Sequence, residues 1–377
     1  MKRVFIHRLG AFGDHIHMSN VIKAFDEDGW EVTFRYNWKG AQLHSENPRI
    51  KHHEFFEASA KHITLELFNA HQDRLARAEK EYDRVVNLQN SLEKALIFSE
   101  RDPQYFWPHR LRRQKSADIC FYDQSMIWAG LTEKKYMGWT GEYWNKREDH
   151  KYILDQMRQY EDKFIILWAM RGSMWQKAVC HLAKPICDEW LRRHPESVII
   201  TTGDVFCQQW EWESEYGSTV SPDRGLGNGD VLIHRSGRMP FRQAALMSRY
   251  ADLVVTPETG LGIVAGSFGT PKIMMLTAAS LKSVVGNDEN DYSLQSKAFC
   301  SPCYRAIYNT NNCPKGPGRI GVGEIKDNDD PRKGEIVEVE LPICVEFEPE
   351  EVLSQMEKAY EAKHERKWLL KDEDVYI

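Results

Sequence analysis

Short apolar runs alternate with helix-like spacing along most of the chain, and this alternation limits the fold more than any other feature. Near the start, "RVFIH" (3–7) is a β-like run, residues 15–28 show helical spacing, and "WEVTFRY" (30–36) alternates as a strand after Gly29. Parallel strands need a long crossover, usually a helix, so this order predicts a βαβ unit. Residues 83–89 and 117–122 are predicted as further strands of the same half.

A second series of the same kind begins at "KFIILWAM" (163–170). Its predicted helices are 180–194, 241–250 and 261–268, and its further strands are 197–204, 230–234, 251–257 and 271–276. Two such series predict an α/β protein with two doubly wound parallel sheets. A chain of 377 residues also suggests two domains, at roughly 100–200 residues each.

The predicted domains are residues 1–150 and 151–347, joined through a polar segment at 139–152. Residues 314–343 interrupt the second series and are rich in Gly, Pro and charged residues, so we expect an exposed insertion there. Residues 348–377 form a third segment, with a helix predicted over 348–370 because Pro349 and acids come early and bases late.

Charge and hydropathy exclude several classes of protein. The net charge is −6, so no overall field attracts nucleic acid or anionic lipid. His7 and Arg8 interrupt the first apolar run, which argues against a signal peptide. The most apolar stretch, 251–276, contains charges, prolines and glycines and is not typical of a membrane span. We therefore expect a cytoplasmic protein, in which eight cysteines do not form a disulfide framework.

The turn Glu258-Thr259-Gly260 follows a predicted buried strand and opens a helix. The first amides of a helix have no partner within it, and its dipole favours an anion, so this turn is a candidate diphosphate site. Thr259 adds a hydroxyl donor, Gly260 and Gly262 allow close approach of the ligand, and Glu258 is placed to bind sugar hydroxyls. The alternative is an ordinary tight turn between a strand and a helix.

A second turn, "HRLGAFGDHIHMSN" (7–20), contains Gly10 and Gly13 and ends in an acid, Asp14, rather than in a phosphate-binding Lys or Ser. Such an acid can act as a general base toward a hydroxyl group, or it can simply cap the following helix.

Together these two segments resemble glycosyltransferase family 9, the ADP-heptose:lipopolysaccharide heptosyltransferases and their relatives. The family's opening Arg-x-Gly-(Ala)-x-Gly-Asp turn is matched by Arg8, Gly10, Ala11, Gly13 and Asp14. Its Asp-Thr-Gly turn before the donor helix is matched at 258–260, and "CSPC" (300–303), "CP" (313–314) and "CVEFEPEEV" (344–352) look like its cysteine-containing tail. Residues of about 40–240 match only in the alternation of strands and helices.

The resemblance implies a GT-B fold, in which two Rossmann-like domains face a cleft and the last helix packs back toward the first domain. It also implies an inverting, metal-independent transfer of a heptose-like sugar from a nucleotide-diphosphate sugar to a cell-envelope glycan. Asp14 is then the general base, and a closing cleft is expected to raise the pKa of its carboxyl toward the working range. The implied donor-binding residues are Arg171, Lys177, Glu258, Thr259, Gly260, Leu261 and Gly262. The implied acceptor-binding residues are Gly13, His15, Arg110, Arg112 and Arg113.

The sequence departs from the family pattern at three places. Glu258 replaces an Asp, and Ile263 stands where many members have a donor-contacting His. The family's Lys-x-Trp element is replaced by "RGSMWQK" (171–177), in which either Arg171 or Lys177 is expected to compensate the leaving diphosphate.

Two further groups of residues each have two interpretations. Arg110, Arg112 and Arg113 lie in an aromatic-rich segment (101–118), either a patch for an anionic acceptor or a solvated loop. The late cysteines provide a ligand count suited to a structural zinc or iron ion, or are reduced structural thiols. These cysteines are Cys300, Cys303, Cys313 and Cys344.

Other functions remain open on the sequence alone. The same chemistry could act on hydroxymethylated phage DNA or on protein, or the chain could be an inactive sugar-nucleotide-binding module. A nucleotide-binding dehydrogenase is disfavoured because "GAFGD" (10–14) is not Gly-x-Gly-x-x-Gly and no acid ends the strand at 30–36. The sugar, the nucleotide base, the acceptor and the oligomeric state are not determined by the sequence.

Overall fold

The fold is taken from a computed structural model of the 377-residue chain. The structure describes residues 1–57, 65–89, 91–92, 98–99, 103–115, 119–204, 207, 211, 232–234, 236–237, 239–307, 313, 317–324, 335–362 and 364.

Strands and helices alternate in the described chain. The strands are β1 (Arg3–His7), β2 (Glu31–Tyr36), β3 (Ile50–Phe55), β4 (Arg84–Asn87), β5 (Phe98–Ser99), β6 (Phe164–Ala169), β7 (Ser197–Thr202), β8 (Leu232–His234), β9 (Leu253–Pro257), β10 (Lys272–Leu276), β11 (Leu294–Gln295), β12 (Arg305–Ala306), β13 (Pro317–Glu324) and β14 (Ile336–Pro342). The helices are α1 (Phe12–His17), α2 (Ser19–Glu27), α3 (Trp38–His44), α4 (Leu65–Glu81), α5 (His109–Lys115), α6 (Phe121–Trp128), α7 (Arg147–Arg158), α8 (Cys180–Arg193), α9 (Phe241–Tyr250), α10 (Gly260–Ser267), α11 (Leu281–Val285) and α12 (Pro349–Glu361).

The chain divides into two compact units. Unit 1 comprises Met1–Ala95 and Ile119–Arg147, and unit 2 comprises Leu96–Asp118 and Glu148–Ile377. Residues 96–118, which the sequence analysis placed in the first domain, therefore group with unit 2.

Unit 1 contains a parallel sheet of strand order β3-β2-β1-β4. Its central strand β1 aligns His7 with Arg35 of β2 and with Asn87 of β4. Apolar residues of β1, β2 and α2 form one core. Helix α2 contributes Val21, Ile22 and Phe25, whose helical spacing places them on the one face that is buried against the sheet. Gly29 ends this helix with a φ of +76°, a conformation that other residues adopt at a cost.

Unit 2 contains a parallel sheet of strand order β11-β10-β9-β6-β7-β8. Counted from β6, this is the order 6-5-4-1-2-3 of dinucleotide-binding folds. The central strands are buried on both faces and read as near-continuous apolar runs, as expected for a sheet covered by helices on each side. Helix α12 packs on α8 of the same unit, where His194 Nε2 lies 2.8 Å from Glu357 Oε2.

The α/β fold class predicted from the sequence is confirmed, but two local predictions are wrong or incomplete. Residues 121 and 122, predicted to end a strand, begin α6, with Cys120 as the residue before its first turn. β3 and α4 were not predicted from the sequence. β3 is an edge strand whose side chains are mostly polar, so it lacks the apolar run that would mark it as a strand.

The predicted insertion at 314–343 contains an antiparallel hairpin of β13 and β14. The predicted C-terminal helix is present over Pro349–Glu361, and its remainder at 363 and 365–370 lies outside the described residues. Among the described helices, none is long and apolar enough to cross a membrane.

Candidate functional site

Each sheet carries candidate residues at its topological switch point, the place where the order of strands reverses and where open α/β sheets bind ligands. In unit 1 this point lies between β1 and β4, and the Asp14 turn directly follows β1. In unit 2 it lies between β6 and β9, and Arg171 and Glu258 follow these two strands.

The Asp14 carboxylate is held from two sides within its own turn. Arg8 Nη2 lies 3.1 Å from Asp14 Oδ1, and the Ala11 amide donates to Asp14 Oδ2 at 2.6 Å. The Arg8 side chain is 1% exposed and that of Asp14 is 21% exposed, so the carboxylate reaches solvent above a buried cation. Arg8 is itself fixed by donating from Nη1 to the Leu88 carbonyl at 2.8 Å.

These contacts decide the charge of Asp14. Burial raises the pKa of the carboxyl, whereas the Arg8 charge and the hydrogen bond from the Ala11 amide lower it. Together the lowering effects outweigh burial, so the pKa of Asp14 lies below the ordinary value of 3.8. A cleft that closes over this carboxyl, as expected from the sequence, would raise the pKa, whereas the cation directly beneath it lowers the pKa. Asp14 is consequently ionised at neutral pH and can accept a proton or a hydrogen bond.

Gly10 is required by the close approach of the same carboxylate. A Cβ at this position would lie 2.6 Å from Asp14 Oδ2 and 2.8 Å from Asp14 Cβ. Cβ atoms in proteins essentially never come within 3.0 Å of such an atom. The first glycine of the turn thus leaves space for the acid that ends it.

Gly13 and His15, predicted to contact the acceptor, are both buried. His15 Nε2 lies 3.0 Å from Asn37 Oδ1, and burial together with the nearby Arg8 charge lowers the pKa of His15 to about 4. The imidazole is therefore neutral near pH 7 and belongs to the frame beneath the turn. Its acceptor-binding role remains a prediction without a supporting contact.

In unit 2, Lys177 and Glu258 form a buried ion pair. Lys177 Nζ lies 3.1 Å from Glu258 Oε1, and the two side chains are 13% and 6% exposed. Lys177 reaches this position because residues 171–178 fold back on themselves: the Gly172 amide donates to the Lys177 carbonyl at 2.9 Å, and Arg171 bridges to Ala178. Gly172 is needed there, since a Cβ would lie 2.9 Å from Lys177 Cβ and 3.2 Å from Thr259 Cγ2.

The pair lies at the start of α10. Thr259 is the N-cap residue, but its hydroxyl contacts Thr256 Oγ1 at 2.7 Å and does not cap the helix. The first amides of α10 have no partner inside the helix, as at every helix start. Glu258 Oε2 is buried without a hydrogen-bond partner in the described part of the chain, so this oxygen can accept a bond from a ligand hydroxyl.

The donor-binding residues predicted around this helix differ in their surroundings. Gly260 and Thr259 are half-buried, whereas Leu261 and Gly262 are buried. A Cβ on Gly262 would lie 2.7 Å from Met274 Sδ and 2.8 Å from Thr256 Cγ2. Packing of α10 on the sheet therefore accounts for this glycine, in place of the close ligand approach inferred from the sequence.

The predicted basic patch is not a single surface. Arg110 and Arg113 are exposed on α5, but Arg112 is 3% exposed. Its guanidinium donates to the carbonyl groups of Cys303 at 3.0 Å and Tyr105 at 3.2 Å, and also to that of Trp107. Arg112 holds segments of unit 2 together and is unavailable to an acceptor.

All four late cysteines line one small cavity of about 20 Å³, together with Arg112 and Arg305. Such a volume holds about one water-sized species. Burial raises the pKa of Cys303 to about 11, so a bound metal ion would have to displace the proton of this thiol. Within the described residues, no three His, Cys, Asp or Glu side chains could hold a metal ion. The expected structural metal is thus unsupported.

Gln176 links this cavity to Lys177 and was missed by the sequence analysis. Its Oε1 accepts from the Ile307 amide at 3.0 Å, its Nε2 lies 3.6 Å from Cys303 Sγ, and its carbonyl accepts from Thr277 Oγ1 at 2.9 Å. Arg8 was quoted in a motif without a role, although an arginine directly after the first strand is a signal that could have identified it. Gln176 gives no comparable signal in the sequence.

Sequence comparisons identify no relative: no model of a protein family matches the chain, and no curated protein does. Solved structures do match. A family 9 glycosyl transferase from Veillonella parvula has a TM-score of 0.59 at 14% identity, covering 96% of this chain and 98% of its own. The E. coli ADP-heptose LPS heptosyltransferase II has a TM-score of 0.58 at 12% identity, covering 96% and 99%.

The E. coli glycosyltransferase TibC, described as iron-containing and dodecameric, has a TM-score of 0.50 at 9% identity and covers 96% of this chain and 78% of its own. At such identities the likeness concerns the fold. The chain has the GT-B type of architecture, with two parallel α/β units, that the sequence resemblance implied.

Proposed function

We propose that this protein is an inverting, metal-independent glycosyltransferase that moves a heptose-like sugar from a nucleotide-diphosphate sugar to an acceptor hydroxyl on a cell-envelope glycan. One observation carries the proposal: two Rossmann-like sheets have complementary chemistry at their switch points, an ionised carboxylate in one and an uncapped helix start with a lysine in the other. The shared fold with family 9 and heptosyltransferase structures supports it.

Asp14 would act as the general base. The acceptor oxygen attacks the anomeric carbon as its proton passes to a carboxylate oxygen of Asp14, and the bond from that carbon to the diphosphate breaks. The diphosphate leaves with the electron pair, so the configuration at the anomeric carbon inverts. Arg8 would keep Asp14 ionised and correctly oriented before the proton transfer.

Unit 2 would bind the donor. The first amides of α10 and the Lys177 ammonium provide positive charge for the diphosphate, where negative charge grows during the reaction. Glu258 pairs with Lys177 through one carboxylate oxygen and would accept a hydrogen bond from a hydroxyl of the donor sugar with the other. A donor resembling ADP-heptose and a cytoplasmic location are parts of this proposal.

The test combines nucleotide-sugar binding with turnover. A thermal-shift panel of nucleotide-diphosphate sugars selects the donor, and calorimetry measures its affinity. We expect Asp14→Asn to lower kcat at least ~10²-fold with unchanged donor affinity, the usual scale of general-base loss. Lys177→Met should weaken donor binding ~10-fold or more, while Lys177→Arg keeps the charge and most of the affinity.

Asp188→Asn serves as a matched control, because Asp188 is exposed on α8 of unit 2 and pairs with Lys184 one helical turn away. Full turnover of Asp14→Asn would remove the base from the mechanism. A protein that binds no member of the panel would contradict the proposed function as a whole.

A further inference from the structure

A pair of aromatic rings, one exposed and one half-buried, lies beside the Asp14 turn. Phe12 is the first residue of α1, two positions before Asp14, and Trp38 is the first residue of α3. Their rings meet edge to face at 5.7 Å with an interplanar angle of 89°. Trp38 is 44% exposed although it is a large apolar side chain of a well-packed unit. Exposed aromatic surface next to a reactive group is typical of binding surfaces.

Asn37 joins this aromatic pair to the turn. Its Nδ2 donates to the Gly10 carbonyl at 3.1 Å, and its Oδ1 accepts from the Lys39 and Gly40 amides at 3.2 Å each. The same Oδ1 lies 3.0 Å from His15 Nε2. One side chain therefore caps α3 and anchors it to the residues that precede Asp14, so that the rings and the carboxylate belong to one rigid frame.

A cation completes this surface. Lys39 Nζ lies 5.5 Å from the centroid of Trp38 and 5.8 Å from that of Phe12, within the range of a cation–π contact. The ammonium group is thus held near the two rings, where it adds positive charge to an otherwise apolar surface.

We propose that the Trp38 ring, with Phe12 set perpendicular beside it, forms the platform on which a sugar ring of the acceptor packs, and that Lys39 contacts an anionic substituent of that sugar, a phosphate or carboxylate. This rests on the proposed function and specifies its acceptor as an anionic glycan. The C–H face of a pyranose is apolar and flat enough to pack on an indole, while its hydroxyl edge remains free to reach a neighbouring carboxylate. Asp14, two residues from Phe12 and partly exposed, is that carboxylate.

Aromatic rings also stack on nucleic-acid bases, but a polynucleotide needs a positively charged track for its backbone as well. The arginines that the sequence suggested for such a track group with unit 2, and one of them is buried. The net charge of −6 provides no general attraction either. The observations therefore favour a glycan over DNA.

Ligand-observed NMR of the full chain tests the platform with small probes. The probes are methyl glucopyranoside 6-phosphate, methyl glucopyranoside, inorganic phosphate and a single-stranded oligonucleotide. We expect saturation transfer to the ring C–H protons of both glucosides, with the phosphorylated one bound more tightly. Trp38→Ala should weaken this binding at least ~10-fold. Lys39→Gln should remove only the preference for the phosphorylated sugar.

Trp128→Ala is the control, because Trp128 is an equally exposed tryptophan (46%) on α6 of the same unit. Asp14→Asn separates the two proposals: it should lower kcat at least ~10²-fold yet still bind both glucosides. Equal binding by Trp38→Ala and the control would overturn the inference, as would binding of inorganic phosphate as tightly as the sugar phosphate. Failure of both glucosides to bind, or tight salt-dependent binding of the oligonucleotide alone, would also overturn it.

Discussion

Replacing Gly10 by alanine should displace the Asp14 carboxylate and break its hydrogen bond with the Ala11 amide. The added Cβ would lie 2.6 Å from Asp14 Oδ2, whereas ordinary contacts begin near 3.4 Å, so the carboxylate must move by about 0.8 Å. Gly10 does not have a positive φ, and alanine therefore introduces no backbone strain of its own. The perturbation acts on the whole Asp14 side chain, because the added Cβ would also lie 2.8 Å from Asp14 Cβ.

The size of the effect follows from the contacts that this shift breaks. The 2.6 Å hydrogen bond from the Ala11 amide to Oδ2 cannot survive it, and a hydrogen bond to a charged group contributes about 1.5–3 kcal/mol. A reacting group displaced by about 1 Å typically costs ~10²-fold in rate. We therefore expect a loss of about 2 kcal/mol in stability and of ~10²-fold in kcat. Because the Ala11 amide lowers the pKa of Asp14, that pKa should rise in the variant.

The assay measures kcat, donor affinity and the acid limb of the pH–rate profile, together with the free energy of unfolding in urea. Donor affinity should stay unchanged, since the residues proposed to bind the donor belong to unit 2. Gly29→Ala is the control: it places alanine at a φ of +76° with no neighbouring atom within 4 Å, and so strains the backbone away from Asp14. The control should lose stability and keep its turnover.

A folded Gly10→Ala variant with turnover within about threefold of the parent and an unshifted acid limb would refute this reasoning. It would mean that the position of Asp14 within its turn does not matter for the reaction, even if the carboxylate itself does.

Two further predictions concern the frames of the sites. Burial lowers the pKa of His15 to about 4 and that of His44 to about 3, so these imidazoles take up protons more readily in the unfolded chain. The free energy of unfolding should therefore be highest above pH 6.5 and fall as the pH drops toward 4, by up to ~3 kcal/mol for His15. Equal urea midpoints at pH 7.5 and pH 5 would contradict this. Gln176→Ala leaves the Ile307 amide unsatisfied and should weaken donor binding severalfold without lowering kcat at saturating donor, as measured by calorimetry and kinetics; unchanged affinity would exclude a positioning role.

The architecture was predictable because it depends on apolar periodicity, which a sequence displays directly. The runs at 3–7, 163–170 and 251–257 became β1, β6 and β9, and their order places the candidate residues at the switch points. β3 was not predictable in this way, since only one of its residues, Ile50, is buried. Edge strands of this kind depend on pairing with a neighbour, and pairing is not visible in local composition.

The sequence indicated which residues the candidate sites contain, but not which neighbours surround those residues or how these neighbours shift their pKa values. The sequence indicated Asp14 and the turn at Glu258, but the direction of the Asp14 pKa shift depends on Arg8 lying directly beneath it, which is a tertiary fact. Arg112 shows the same limit in reverse. It looks like a member of a solvated basic cluster in the sequence, but its guanidinium donates to the carbonyl groups of Tyr105 and Trp107 nearby and of Cys303, which is 191 residues away and is brought there only by the fold.

The difference between the two switch points explains why the first turn ends in an acid. Turns after the first strand of such sheets usually present free amides to a phosphate. In unit 1, however, the Asp14 carboxylate itself occupies the Ala11 amide, and the anion that the turn would bind is supplied by the chain. In unit 2 the candidate turn follows β9; there the Thr259 hydroxyl contacts Thr256 instead of capping α10, and the first amides of this helix have no partner within it. In the proposed mechanism, a single side chain would thus convert an anion-binding turn into one that presents a base.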